Sequence, residues 1–257
     1  MTPMDYENYF EYRQVNPRFY EGFKAPPYLL DLLGARHDAR ILDFGCGFGQ
    51  LSFALRNLGF ACVEGLDIAP PAIQHSRAHG LICHDGGDAA FFQSHESFYD
   101  YIIVSHVVEH FPKDEIVALL DRIRRLLKPS GVALIIVPNA QANTGAYWAY
   151  EDFTHHTLFT SGSLYYVLRQ AGFTQVDFLD AACTAGLSWH KKAVKLFLLM
   201  LYKWNYKLWN RVTSSVLHAP SPPIFSFEIK AAACVAAARE SALGNISSAS
   251  GEGGEVA

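Results

Sequence analysis

Several familiar signatures are missing from this chain, and each absence removes a class of protein. The five cysteines (Cys46, Cys62, Cys83, Cys183 and Cys234) are odd in number and never form a C-x-x-C pair. That argues against a disulfide framework or a thiolate zinc site, and a reducing, cytoplasmic setting is expected. No run approaches the roughly 20 consecutive apolar residues that span a bilayer. The opening MTPMDYENYF has no basic stretch leading into an apolar one, so no secretory signal is expected there. Charge is nearly balanced, with 21 basic and 25 acidic residues and a net of -4. That balance gives no overall field for nucleic acid, and no nucleic-acid partner is expected. No internal repeat is visible.

What the chain does have is apolar mass. Half of its 257 residues are hydrophobic, enough for one larger α/β domain with room for an insertion. Residues 1–39 are polar and rich in aromatics and read as a helical cap or lid. Short β-like runs then follow at 41–44, 61–67, 81–83, 101–104 and 132–137, with helical stretches between them. The clearest helix is 114–127, where Ile116, Leu120, Ile123 and Leu127 build one apolar face. Arg122, Arg124, Arg125 and Lys128 crowd its C-terminal end, which the helix dipole favours, and Pro129 and Gly131 then stop it. Strand–helix alternation with apolar strands predicts a mostly parallel, doubly wound sheet covered on both faces. Later strands are expected at 175–179 and 225–235, separated by an insertion at about 184–223. The main domain thus runs over 40–240, and the Gly/Ser-rich stretch 241–257 is expected to be disordered.

The first strand ends in Asp43-Phe-Gly45-Cys46-Gly47-Phe-Gly49. Open α/β sheets bind ligands beyond the carboxyl ends of their strands, and glycines there let backbone approach the ligand. A dinucleotide site wants G-x-G-x-x-G, but the third glycine's position holds Gln50. G-x-G-x-G behind a carboxylate instead suits a ligand without phosphate, whose amino acid ammonium can meet Asp43. Asp67 ends the second strand, where a carboxylate can accept both hydroxyls of a ribose. Gly87-Asp88-Ala89 follows the third strand, and Asp88 can accept from an adenine amino group. The fourth strand opens into Ser105-His106-Val-Val-Glu109-His110.

In order and spacing these motifs resemble the class I S-adenosylmethionine-dependent methyltransferase superfamily, and the likeness covers about residues 40–137. The resemblance implies a Rossmann-like sheet of seven strands with the last antiparallel, to which segment 1–39 would add an N-terminal helical lid and segment 184–223 a helical insertion before the last strand. It implies S-adenosyl-L-methionine as cofactor. Asp43, Gly45, Cys46, Gly47 and Gly49 would wrap the methionine half, Asp67 and Ile68 would hold the ribose and flank the adenine, Asp88 and Ala89 would meet the adenine edge, and Ser105 and His106 would line the floor. Asp152-Phe-Thr154-His155, then Phe159-Thr160 and Ala171-Gly172-Phe173, looks like methyltransferases of polysaccharide and glycolipid assembly. That second likeness implies O- or N-methylation of a saccharide or lipid-linked acceptor, with His155 as base or acceptor-orienting residue. Two other readings stay open: a small-molecule methyltransferase for quinones or secondary metabolites, and a cofactor-binding scaffold without catalysis.

Two further patterns need weighing. His106-x-x-Glu109-His110 spells a metallopeptidase motif, which on a helix would set both imidazoles on one face. It follows directly on a strand, inside the methyltransferase pattern, so no metal is expected. The segment from Lys191 to Arg211, KKAVKLFLLMLYKWNYKLWNR, carries a helical stripe of Phe197, Leu201, Trp204, Leu208 and Val212 beside Lys203, Lys207 and Arg211. A basic amphipathic helix of this kind either lies peripherally in a membrane headgroup region or packs on its own domain or a partner.

Overall fold

The computed structural model describes residues 8–216 and 218–235. The Gly/Ser-rich stretch 241–257, residues 236–240 of the expected domain and the first seven residues lie outside them. Seven strands form one sheet: β1 Arg40–Phe44, β2 Cys62–Asp67, β3 Ile82–Asp85, β4 Tyr99–Ser105, β5 Leu127–Pro138, β6 Gln175–Phe178 and β7 Glu228–Cys234. Their spatial order is β3-β2-β1-β4-β5-β7-β6. β1 to β5 pair in parallel, and β7 runs antiparallel between β5 and β6. The expected doubly wound sheet is therefore present, with its last strand reversed.

The apolar runs become strands because helices bury them on both faces. On one face Leu42, Ile102, Val104, Ala133 and Ile135 pack with α5 (Ala89–Ser94), α6 (Ile116–Leu126) and α8 (Ser161–Gln170). On the other, Ile41, Tyr101, Ile103, Val132, Leu134 and Ile136 pack with α2 (Pro27–Leu33) and α3 (Gln50–Asn57). α4 (Pro70–Ala78) seats Ile73 against Cys46 and Cys83, and Ala72 against Phe48. α6 follows its predicted face: Ile116, Leu120 and Ile123 are all buried.

Two details differ from the sequence pattern. Pro129 and Gly131 do not separate helix from strand. β5 begins at Leu127, pairs with Tyr99, and absorbs the Pro-Ser-Gly stretch as a register irregularity before Val132 pairs with Tyr101. The aromatic N-terminal segment also divides. α2 belongs to the sheet's core, whereas α1 (Tyr9–Tyr12) and a 3-10 turn at Pro17–Tyr20 lie over the β1 loop, with Phe10 packed on Phe48 and Tyr20 on the cluster that Phe48 forms with Ala69 and Ala72. Between β5 and α8 sits α7 (Gly145–Glu151), and between β6 and β7 lies α9 (Trp189–Val212), the expected helical insertion.

Candidate active site

The loops after β1, β2 and β3 meet at the carboxyl ends of the parallel strands, tied by their own hydrogen bonds. Gly45 N–H and Cys46 N–H donate to Leu66 O, Gly47 N–H donates to Asp67 Oδ2 at 2.8 Å, and Gly86 N–H donates to Asp67 O. Asp67 Oδ1 also accepts from Ile68 and Ala69 N–H, at 2.8 and 2.9 Å. Gly45, Gly47 and Gly49 all have positive φ (79°, 54° and 81°), a region L side chains avoid. A Cβ on Gly45 would also collide with Val107, so the β1 loop and the loop after β4 need glycine to lie this close.

Asp43 is 3% exposed, and its Oδ2 accepts from Ser52 Oγ at 2.8 Å. Burial pushes its carboxyl up to about 7, against the pull of that hydrogen bond. Burial likewise raises Asp67, opposed by its three backbone donors. Asp88 is exposed and caps α5, accepting from Ala90 N–H at 2.8 Å; Ala89 and Ile68 are exposed beside it. Cys46 is buried, with Sγ 3.7 Å from Cys83 Sγ. Sequence reasoning missed one group here. Gln50 served only as the residue that broke a dinucleotide pattern, yet its buried Oε1 has no hydrogen-bond partner. A buried acceptor left open beside the glycine loop is a mark of a site that receives a donor.

The loop after β4 does not form a metallopeptidase helix. His106 has φ 55°, and only the three-residue 3-10 turn Val108–His110 follows. The two imidazoles therefore do not share a helical face. His106 instead bridges two carboxylates, with Nδ1 3.2 Å from Glu109 Oε1 and Nε2 3.4 Å from Glu228 Oε2. Desolvation opposes a charge on the ring, but the hydrogen bonds to both carboxylates outweigh it and hold the pKa well above the usual value. With both nitrogens committed, His106 can line the floor only with its ring edge and backbone. Ser105 ends β4 just before it, half-buried.

Glu109 is fully buried and organises the segment that carries His155 and His156. Its backbone oxygen accepts from His156 N–H, its Oε1 lies 4.0 Å from His155 Nε2, and its Oε2 has no partner. His155 Nδ1 lies 2.7 Å from Trp148 O, so it carries the proton and donates to that carbonyl. The base expected from the sequence is thus wedged between Trp148 and Glu109.

His110, whose ring meets that of His155, sits in a hydrogen-bonded chain. Tyr9 OH donates to Asp152 Oδ2 at 2.6 Å, and Thr154 Oγ1 donates to Asp152 Oδ1 at 2.6 Å. Burial alone would raise the Asp152 carboxyl, but these bonds hold it down at about 2. The Thr154 proton is thereby committed to Asp152, so His110 Nδ1, 2.6 Å away, donates to Thr154 Oγ1. His110 Nε2 is left as the unprotonated nitrogen. Burial lowers the His110 pKa, which keeps the ring neutral at pH 7. Arg13 also reaches this cluster, donating to Glu151 O and lying 3.6 Å from Asp152. Glu109, His110 and His155 also each place a ligand atom within 4.8 Å of the others, a spacing compatible with a metal ion.

A family described as a methyltransferase domain matches residues 14–177. Curated relatives are ubiquinone biosynthesis O-methyltransferases. The one from Xanthomonas oryzae is 36% identical over 115 residues, 41% of this chain and 46% of that protein. The one from Cereibacter sphaeroides is 34% identical over 154 residues, 54% of this chain and 61% of that protein. The chain thus spans about half the length of the curated relatives it matches. Among solved structures, a SAM-dependent methyltransferase from Archaeoglobus fulgidus superposes with a TM-score of 0.55 at 20% identity. The superposition covers 84% of this chain and 97% of that one, and it is a likeness of fold.

Proposed function

The chain belongs to the methyltransferase-domain family, and on that premise we propose that it transfers the methyl group of S-adenosylmethionine to a ring hydroxyl of a quinone-type aromatic acceptor. S-adenosylmethionine supplies a methyl group already activated on a sulfonium. This chain's residues hold the cofactor, align the acceptor and take its proton. Asp43 and the Gly45–Cys46–Gly47–Gly49 loop face the methionine half and Gln50 Oε1 offers an acceptor beside it. Asp67 and Ile68 take the ribose side, Asp88 and Ala89 the adenine edge, and Ser105 with His106 the floor.

The observation that carries the acceptor reading is the Asp152–Thr154–His110 relay. A neutral imidazole can remove a proton from a phenol-like hydroxyl of pKa ~10. The imidazolium that forms is stabilised through Thr154 by ionised Asp152. A sugar hydroxyl is a much weaker acid and a poorer match to this base. Tyr147 and Tyr150 on α7 and Phe153 between Asp152 and Thr154 are exposed, the last at 90%, and offer apolar surface near the relay in sequence that suits an aromatic ring. The activity for which the curated relatives are named supports the same reading. The saccharide acceptor expected from the sequence has no comparable support, because several residues behind it do structural work. Thr160 forms a capping box with Ser163 at α8, Gly172 turns the chain at φ 91°, and Phe173 is buried in the core.

Transfer of label from methyl-labelled S-adenosylmethionine tests this directly. Dihydroxylated benzene rings with an isoprenoid tail are expected to be methylated and lipid-linked sugars are not. The reverse preference would overturn the acceptor class, and cofactor binding with no transfer to any acceptor would favour a scaffold.

The cofactor contacts have their own test. Asp67→Ala is expected to weaken S-adenosylmethionine binding by roughly 1.5–3 kcal/mol, about ten- to a hundredfold, measured calorimetrically. The variant loses both the ribose acceptor and the tether on Gly47 N–H. Unchanged affinity would remove Asp67 from the site.

A further inference from the structure

α9 is a 24-residue helix with no buried residue, an unusual state for so apolar a segment. It touches its own domain along one stripe. Lys195, Leu199, Tyr202, Tyr206 and Asn210 are half-buried at spacings of four, three, four and four. Tyr202 OH donates to Gln141 O and Asn143 Oδ1, the Tyr202 and Tyr206 rings meet Phe225, and Lys195 Nζ donates to Cys183 O. On the opposite side of the helix stand Phe197, Met200, Leu201, Trp204 and Leu208, with Trp204 67% exposed. The stripe read from the sequence therefore faces outward.

Charge decides what covers it. The helix carries Lys191, Lys192, Lys195, Lys203, Lys207 and Arg211 and no acidic residue, although the whole chain is net negative. Two copies of this helix packed face to face would set like charges against each other. An anionic bilayer supplies the complement to both faces, with acyl chains for the apolar stripe and headgroups for the flanking cations. Trp and Tyr rings suit the boundary between them. No helix among the described residues is long and apolar enough to cross a membrane, so the contact lies in the plane of the surface.

We propose that α9 docks this protein peripherally on anionic lipid bilayers, with Phe197, Leu201, Trp204 and Leu208 inserted at the headgroup level and Lys203, Lys207 and Arg211 on lipid phosphates. The clamp of Tyr202 on residues 141 and 143 ties the docked helix to the loop that leads from β5 into α7 and His155. The acceptor side of the site is thereby held close to the surface.

The test is co-sedimentation of the full chain with vesicles of phosphatidylcholine alone and of equal parts phosphatidylcholine and phosphatidylglycerol. The chain is expected to pellet with the mixed vesicles and not with the neutral ones, and to release as salt rises. Phe197→Glu with Trp204→Glu, and separately Lys203→Glu with Lys207→Glu, should each lower partitioning at least about tenfold. Their far-ultraviolet circular dichroism and S-adenosylmethionine affinity should match those of the parent. A readout that needs no variant is quenching by brominated acyl chains, since three of the four tryptophans (Trp189, Trp204 and Trp209) lie on α9. Absence of binding to anionic vesicles, unchanged binding in the variants or no quenching would overturn the proposal. So would a lipid-free dimer in sedimentation equilibrium that Phe197→Glu with Trp204→Glu dissociates, which would give the face to a second copy. No acceptor is present in these assays, so their outcome is independent of the acceptor reading.

Discussion

His110→Ala is expected to lower kcat by about 10²–10⁴-fold while S-adenosylmethionine affinity stays within about twofold. The expectation follows from the tautomer. Asp152 is ionised and takes the Thr154 proton, so His110 gives its Nδ1 proton to Thr154 and keeps Nε2 free for the acceptor. Thr154→Val leaves the imidazole in place and removes the link to Asp152, and a smaller loss of kcat should result. The pH profile separates His110 from its neighbours. Burial lowers the His110 pKa, so the base form prevails at pH 7. With S-adenosylmethionine held saturating, kcat/KM for the acceptor should then stay flat from pH 8 down to the ordinary histidine range and fall only below it. A base at His106, whose pKa is raised, would instead leave the enzyme inactive near neutrality and switch it on in alkali. His155→Ala should act mainly on stability, because it abandons the bond to Trp148 O and opens a hole beside buried Glu109. Full activity in His110→Ala, or an alkaline rise in the wild type, would remove His110 from the proton path.

The parts of this molecule that could be read from the sequence are those whose cause is local. β1 and β4 are mostly apolar because both faces are covered, and a short stretch dominated by Ile, Leu, Val and aromatic residues is all that such a strand needs. α6 declares itself through Ile116, Leu120 and Ile123, and the glycine loop through a spacing that only a tight turn requires. The relay could not be read this way. Thr154 meets His110 across 44 residues and Tyr9 meets Asp152 across 143, and no periodicity records such a pairing. The likeness in Asp152-Phe-Thr154-His155 points to His155, but its ring lies where Trp148 and Glu109 confine it. Glu228 escaped notice for the same reason, since it reaches His106 only because β7 returns antiparallel beside β5. α9 lies between these cases. Its two faces are written in the sequence, but which of them meets the domain depends on Tyr202 finding the loop after β5.

Asp43→Asn is expected to stabilise the cofactor-free protein at pH 8 while weakening S-adenosylmethionine binding by about ten- to a hundredfold. Asp43 is almost wholly buried, with Ser52 as its hydrogen-bond donor, and burial raises its pKa to about 7 from an unfolded value near 3.8. The folded chain therefore retains a proton that the unfolded chain has already released between these pH values. Stability from this site is fully present below pH ~4 and is lost as pH rises through about 7. The shift of roughly 3 units amounts to about 4 kcal/mol above pH 7 as an order of magnitude. Asparagine keeps the shape without the charge, so Tm at pH 8 should rise by roughly 2–4 °C for each kcal/mol recovered, with little change at pH 5. Binding runs the other way. A cofactor ammonium favours the ionised carboxylate, so wild-type affinity should grow with pH up to about 7 and then level off. Calorimetry below that pH should register a proton released per cofactor bound, and the asparagine variant should release none. A Tm difference that does not depend on pH, or a variant that binds as tightly as the wild type, would mean that Asp43 only braces the β1 loop. The pH dependence expected here is the signature of a carboxylate held ready, at a cost to the empty fold, for a cation that arrives with the ligand.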